Sequence, residues 1–198
     1  MSGGLKTMII NKVIKICKKS GIVSMVTYNG YQWLGAYRAM YRLLGTAEFK
    51  DKNQFFATFD FDEKTKEKIH YFEHDIPPEA VDLDDTVEQE TPLERTFYNL
   101  PYSEHDAIPY KTTAGEILFL SSEFVAPLSD CIEDVEFYER KTPENKSYIV
   151  AKIGYLLIAV IMPVDIITDK FLDELLDFRR RCSVTYNAIK EVSINDDI

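Results

Sequence analysis

Histidines, carboxylates and lysines are the residues of this 198-residue chain whose spacing bears on chemistry. His70 and His74 stand four apart with Glu73 and Asp75 beside them, and His105 follows Glu104. On a helix, H-x-x-x-H places two imidazoles on one face and can hold zinc, given a third ligand and a dry surrounding. Here the segment is charged and the glutamate placement of a metalloprotease helix is missing, so these read as surface histidines and no metal is expected. Asp82, Asp84, Asp85, Glu88 and Glu90 form a carboxylate cluster able to attract a divalent cation. Their spacing is not that of a calcium loop, and the glycine that turns such a loop is absent. A solvated acidic loop is the expectation. The chain has no G-x-S-x-G, no phosphate-binding glycine loop and no dinucleotide fingerprint, and no local motif pairs a serine or cysteine with a base. Neither an enzyme nor a cofactor is expected.

Lysine supplies the remaining pattern. Lys12, Lys15, Lys18 and Lys19 form one dense positive stripe on a chain of net charge −10. Two readings follow: a solvated face of an amphipathic helix, or contact with the phosphates of duplex DNA, which needs charge but no base readout. The acidic total argues against the whole surface being a nucleic-acid footprint, but not against a local basic face. Arg179–Arg181 add to that face only if the fold brings both helices to one side.

These residues need elements to position them. Leu5–Ser20 reads as a helix, with Ile9, Ile10, Val13, Ile14 and Cys17 on one side, lysines on the other and Gly21 as the stop. Ile22–Thr27 reads as a strand, Asn29-Gly30 as a hairpin turn, Tyr31–Leu43 as an aromatic strand broken near Gly35, and Gln54–Phe61 as another strand. Glu63–Phe72 is a charged helix or an edge strand. From Glu73 to Pro109 the chain is acidic and proline-punctuated, expected as a long loop with a helical turn at Pro92–Tyr98. Thr168 caps a last helix carrying Phe171, Leu172, Leu175, Leu176 and Phe178, and Ser193–Ile198 form a tail. Three widely spaced cysteines favour reduced thiols over a disulfide framework. The longest apolar run, Tyr155–Val164, is too short to span a bilayer, and the N-terminal segment lacks a signal-peptide core. A cytoplasmic protein without a membrane partner or small-molecule substrate is expected.

Gly115–Ile167 carries the most architectural information. Ile117–Leu120 reads as a strand, Ser122–Cys131 as a short helix with Phe124, Val125, Leu128 and Cys131 inward, and Val135–Tyr138, Tyr148–Ile153 and Leu156–Met162 as three strands. This order, with its L-S-S-E-F-V-A-P-L-S-D helix, a strand opening E-D-V-E-F and the final Met162-Pro163, resembles the last part of the bacterial DNA sliding clamp, the polymerase processivity factor. The chain also resembles prophage proteins of intestinal Firmicutes. The resemblance implies an α+β, DNA-clamp-like single domain over residues 1–198. Its antiparallel sheet would be backed by two helices, with halves near 5–61 and 115–167, an acidic excursion over 62–114 and an extra C-terminal helix over 168–190.

Function follows from the same resemblance. It implies a non-enzymatic protein associated with DNA or with the replication machinery of a mobile element, touching duplex DNA weakly through Lys12, Lys15, Lys18 and Lys19. The alternative is an interaction module that binds no DNA and holds a partner peptide near Leu156, Met162, Pro163, Val164 and Phe171. Departures bear on the choice. Clamps close rings of six such domains and this chain is long enough for one. The second helix is flanked by Glu123, Asp130, Glu133 and Asp134, a sign that repels a duplex.

Overall fold

The computed structural model describes residues 8–46, 48–74, 81–168, 171, 173 and 176–182. Expectations for Leu5–Thr7, Asp75, Asp169, Leu172, Leu175, residues 183–190 and the tail Ser193–Ile198 fall outside them. The chain forms two compact units, Met1–Val164 and Asp165–Ile198. In the second unit Phe171, Asp173 and residues 176–182 are helical, and the Phe171 amide donates to Thr168 Oγ1 at 3.2 Å, the cap the sequence proposes.

The first unit begins with α1 (Ile10–Ser20), which buries Val13, Ile14, Ile16 and Cys17. Gly21 ends it at φ 70°, donating its N–H to Cys17 O, a left-handed cap that favours glycine. Then come β1 (Ile22–Tyr28) and β2 (Tyr31–Ala36), joined at Asn29-Gly30 with φ values of 48° and 76°, as a tight right-twisted hairpin requires. The break expected near Gly35 falls at Tyr37, with φ 60°, before β3 (Ala39–Arg42). Gly35 stays inside its strand, where a Cβ would sit 3.0 Å from that of Ser24 on β1.

Gln54–Phe61 is not a strand. α2 (Lys52–Thr58) occupies it, capped by Asp51 Oδ1, which accepts the Gln54 amide at 2.8 Å. The alternating phenylalanines that suggest a strand instead gather around one helix face, where Phe49, Phe55, Phe56, Phe59, Phe61 and Tyr71 form one aromatic cluster. The next segment is both of the things it could be: α3 (Glu63–Lys68), then β4 (His70–His74), which runs parallel to β1.

The stretch expected to be a loop is irregular over residues 81–90, as expected, but strand over much of 91–109. It holds β5 (Thr91–Pro92), β6 (Glu94–Arg95), β7 (Leu100–Tyr102) and β8 (His105–Lys111), and no helical turn forms at Pro92–Tyr98. Pro92, Pro101 and Pro109 lie within these strands, and proline argues against a strand when only local sequence is weighed. The chain continues through β9 (Ile117–Ser121) and α4 (Ser122–Val125). Two 3-10 turns at Ala126–Leu128 and Ile132–Asp134 lead to β10 (Val135–Lys141), β11 (Ser147–Ile153) and β12 (Leu156–Ile161).

An eight-stranded sheet of order β4-β1-β2-β3-β12-β11-β10-β5 results, antiparallel except at β4–β1. Two helix-then-meander units make its middle: α1 with β1–β3, and α4 with β10–β12. Their last strands join, Tyr41 facing Ala159. Both helices contribute to the larger core, and the two units are tied where Ile9 N–H, just before α1, donates to Pro127 O at 2.8 Å and the Tyr41 hydroxyl of β3 donates to Phe124 O of α4 at 2.7 Å. The fold is α+β, an antiparallel sheet backed by helices. One expectation fails in detail: β9 does not join that sheet, but pairs with β8 in a smaller one that also holds β6 and β7.

Candidate functional site

Strand alternation sends Trp33, Tyr148, Val150 and Val160 to the sheet face away from the helices, a register shift between β11 and β12 brings Leu157 to the same face, and Val26 and Leu83 join them. Leu83 belongs to residues 81–90, which cross this face as a strap. The strap is fastened by ions. Glu90 accepts Arg140 Nη2 at 2.7 Å and Nε at 3.0 Å, and Lys152 Nζ at 2.6 Å. The two cations are 1% and 4% exposed. Asp85 Oδ1 accepts Arg42 Nη1 at 2.6 Å and the Leu157 amide at 2.9 Å. Arg140 Nη1 also donates to the carbonyls of Asp82 and Asp84, and Asp84 Oδ1 accepts the Tyr28 hydroxyl. Burial pushes the Glu90 carboxyl up, but hydrogen bonds from Lys152 and Arg140 and their charges outweigh it and hold the group below its ordinary range.

The acidic cluster lies in a loop, as expected, but one that is only partly solvated: Asp84, Asp85 and Glu90 are bonded to the body of the molecule, Asp85 while still 42% exposed, and the Asp82 and Glu88 side chains face water. Among the described residues no three histidine, cysteine or carboxylate groups converge as metal ligands. His70 and His74 lie on a strand, where four residues span about 13 Å, instead of on the helix that would pair them.

The lysine stripe is on one face of α1, but it is not free charge. Lys12 donates to Ser129 Oγ at 2.7 Å, and Lys18 to Phe59 O at 3.3 Å while lying over the Phe61 ring. Lys19 sits between Glu104 at 3.0 Å and Glu123 at 3.2 Å, with His105 Nε2 at 3.0 Å. Hydrogen bonds donated to these two carboxylates raise the Lys19 pKa, and the bond from Lys19 lowers that of Glu104. Lys15 is exposed and has no partner among the described residues.

The Met-Pro segment is sewn into the body. Met162 N–H donates to Arg38 O at 2.8 Å, Arg38 Nη1 to Pro163 O at 3.0 Å, and Val164 N–H to Phe119 O at 2.8 Å. Leu156 packs against the helix-side core and Met162 against the strap-side core, so the two do not share a surface. Phe171 is exposed and belongs to the second unit.

A different surface stands out in the smaller sheet. β6 and β7 lie along one side of β8, and β9 lies along the other. Arg95 faces Tyr110 and Leu100 faces Ala107, so four residues bulge out opposite two. Thr96 N–H still reaches Pro109 O at 3.0 Å, but Phe97 and Tyr98 project from the tip, 99% and 79% exposed. Leu100 and Tyr102 are exposed beside them, and among the described residues no strand pairs with the outer side of β7. Sequence reading passed over this surface, although F-Y-N-L-P-Y concentrates apolar side chains within a charged stretch.

Among the described residues no helix is long and apolar enough to cross a membrane. Comparison with protein-family models, with curated proteins and with solved structures returns no match.

Proposed function

We propose that this protein works by holding a protein partner, without chemistry of its own, and that the partner adds an extended segment along the outer side of β7. One observation carries the reading: Phe97 and Tyr98 stand almost wholly in water at the tip of a bulge on an open edge strand. Burying such a ring is worth about 1.5–3 kcal/mol, and aromatic side chains dominate the energetics of interfaces. Pro101, in the middle of β7, has no N–H, so the open edge offers an unpaired backbone carbonyl there and the two rings supply most of the affinity for an added strand. Glu94 and Asp106 flank it, so a segment with a basic residue beside an apolar centre is the complementary partner.

The two helix-then-meander units joined at β3 and β12 support a clamp-like reading of the fold, with the replication machinery of a mobile element as the setting. DNA contact through Lys12, Lys15, Lys18 and Lys19 is the second reading, favoured by their shared face but weakened by the carboxylates around Lys19. Affinity capture from the native host, followed by hydrogen exchange on the complex, tests the first reading. A partner held by the wild type, lost by the Phe97→Asp/Tyr98→Asp variant and protecting residues 96–102 supports it. A partner held equally by both proteins overturns it.

A further inference from the structure

The larger sheet ends differently at its two edges. At one, β5 is two residues long and includes Pro92, which blunts it. At the other, β4 runs His70–His74 with no proline, no lysine and no shift of register against β1. Among the described residues nothing pairs with its outer side. Phe72 is 47% exposed, and its ring stacks on that of His74 instead of entering the core. A border of this kind is a template for another strand.

The backbone fixes how that strand would fit. His70 N–H donates to Gly21 O at 2.8 Å, so alternation turns the amides and carbonyls of His70, Phe72 and His74 toward β1 and those of Tyr71 and Glu73 outward. Antiparallel strands exchange two hydrogen bonds at every second opposed pair. When β4 meets a second β4 about a twofold axis through Phe72, both such pairs set Tyr71 of one copy against Glu73 of the other. All the outward groups of Tyr71 and Glu73 are then bonded. Phe72 faces its own copy, and His70 faces His74, at the closer spacing between bonded pairs.

Side chains agree with this register. Tyr71 packs on the helix side against Phe55 and Phe56, and alternation puts Glu73 on that side too. Lys52 Nζ lies over the same rings, 6.0 Å from the centre of Tyr71. Neither Lys52 nor Glu73 has an ion-pair partner among the described residues. Asp51, the other carboxylate near Tyr71, is committed to the α2 cap. Setting Tyr71 against Glu73 of the second copy brings each Glu73 toward the other copy's Lys52, once at either end of the pair. Slipping the strands by one residue loses this match.

We infer that this edge joins two copies of the chain, β4 pairing antiparallel with β4 about a twofold axis through Phe72, so that one eight-stranded sheet continues into another. Strands this short bury little area, which places the dimer in the weak, reversible class. β4 and β7 belong to different sheets, and either proposal can fail without the other.

Sedimentation equilibrium of the full chain tests it. The expected result is monomer at about 5 µM and dimer at about 500 µM. Glu73→Pro removes an outward N–H and leaves the β1–β4 hydrogen bonds, so it should weaken association at least roughly tenfold. Lys52→Glu and Glu73→Lys should each weaken it roughly three- to tenfold, and the double variant should restore it, because the charges then meet with their signs exchanged. Far-ultraviolet circular dichroism matching wild type shows that each variant keeps the fold. A monomer at about 500 µM overturns the inference. So does a dimer that Glu73→Pro leaves intact, or a double variant no better than the single ones. A dimer lost instead in Phe97→Asp/Tyr98→Asp also overturns it, since association would then run through the β7 bulge.

Discussion

Residues 81–90 and 94–102 are neighbours in sequence and come from the same acidic, proline-marked stretch, yet they solve opposite problems. The first turns Leu83 and its carboxylates inward, onto buried Arg140, Lys152 and Arg42. The second turns Phe97 and Tyr98 outward and leaves an edge without a neighbour among the described residues. Charge was satisfied inside the molecule while apolar surface was left outside it, the reverse of the usual partition. A buried cation cannot stay unpaired, so the strap is needed for the fold to close. A solvated ring imposes no such demand, and the bulge is free to serve another molecule.

The sharpest way to break this contrast is to remove the strap's central carboxylate. Glu90→Gln leaves Arg140 and Lys152 buried without a counter-charge and should cost about 3–5 kcal/mol in denaturant unfolding. A loss below about 1 kcal/mol would mean that the strap is an ornament. Leu83→Ala should follow, at about 2–4 kcal/mol, because its methyl groups fill space over Trp33 and Val160. Trp33 is the single tryptophan and lies beneath the strap, so its emission should shift to the red in either variant if the strap lifts.

Acid gives a graded version of the same test. The folded-state pKa of Glu90 is depressed below the ordinary 4.5, so its stabilisation is complete above that value and is lost as pH falls through the lower, folded value. The acid limb of the stability profile should therefore flatten in Glu90→Gln relative to wild type. The smallest effect belongs to the other segment: Phe97→Ala/Tyr98→Ala should change stability by no more than about 0.5 kcal/mol, since neither ring packs internally. A large loss there would place the bulge in the fold instead of at an interface.

What could be read in the sequence divides along the range of the interactions involved. α1 with its glycine stop, the Asn29-Gly30 hairpin and the β10–β12 meander declare themselves through local period and turn chemistry, and all are present. α2 was misread because Phe55, Phe59 and Phe61 alternate with polar residues, while the signal that decides the matter is the Asp51–Gln54 cap. β7 and β8 pair locally and are hidden by Pro101 and Pro109, whereas β5 is missed because its partner lies far along the chain, Pro92 opposite Tyr138. The same holds for the Glu90 ion pairs, which join groups 50 and 62 residues apart. No local pattern in E-Q-E announces that one of those carboxylates will meet two buried cations.

The seam between β3 and β12 also sets a schedule. More than a hundred residues separate these strands, so during synthesis β3 emerges well before the strand that will cover it. At about 5–20 residues per second the delay is roughly 6–23 s, long compared with the microseconds in which a hairpin forms. Throughout that interval the first meander presents Ala39–Arg42 as a naked border on the ribosome, open to any passing strand. The nascent chain is thus most vulnerable to misassembly just before its last strand appears, and slowing translation between β3 and β12 should lower the yield of soluble protein more than slowing it anywhere after Ile161.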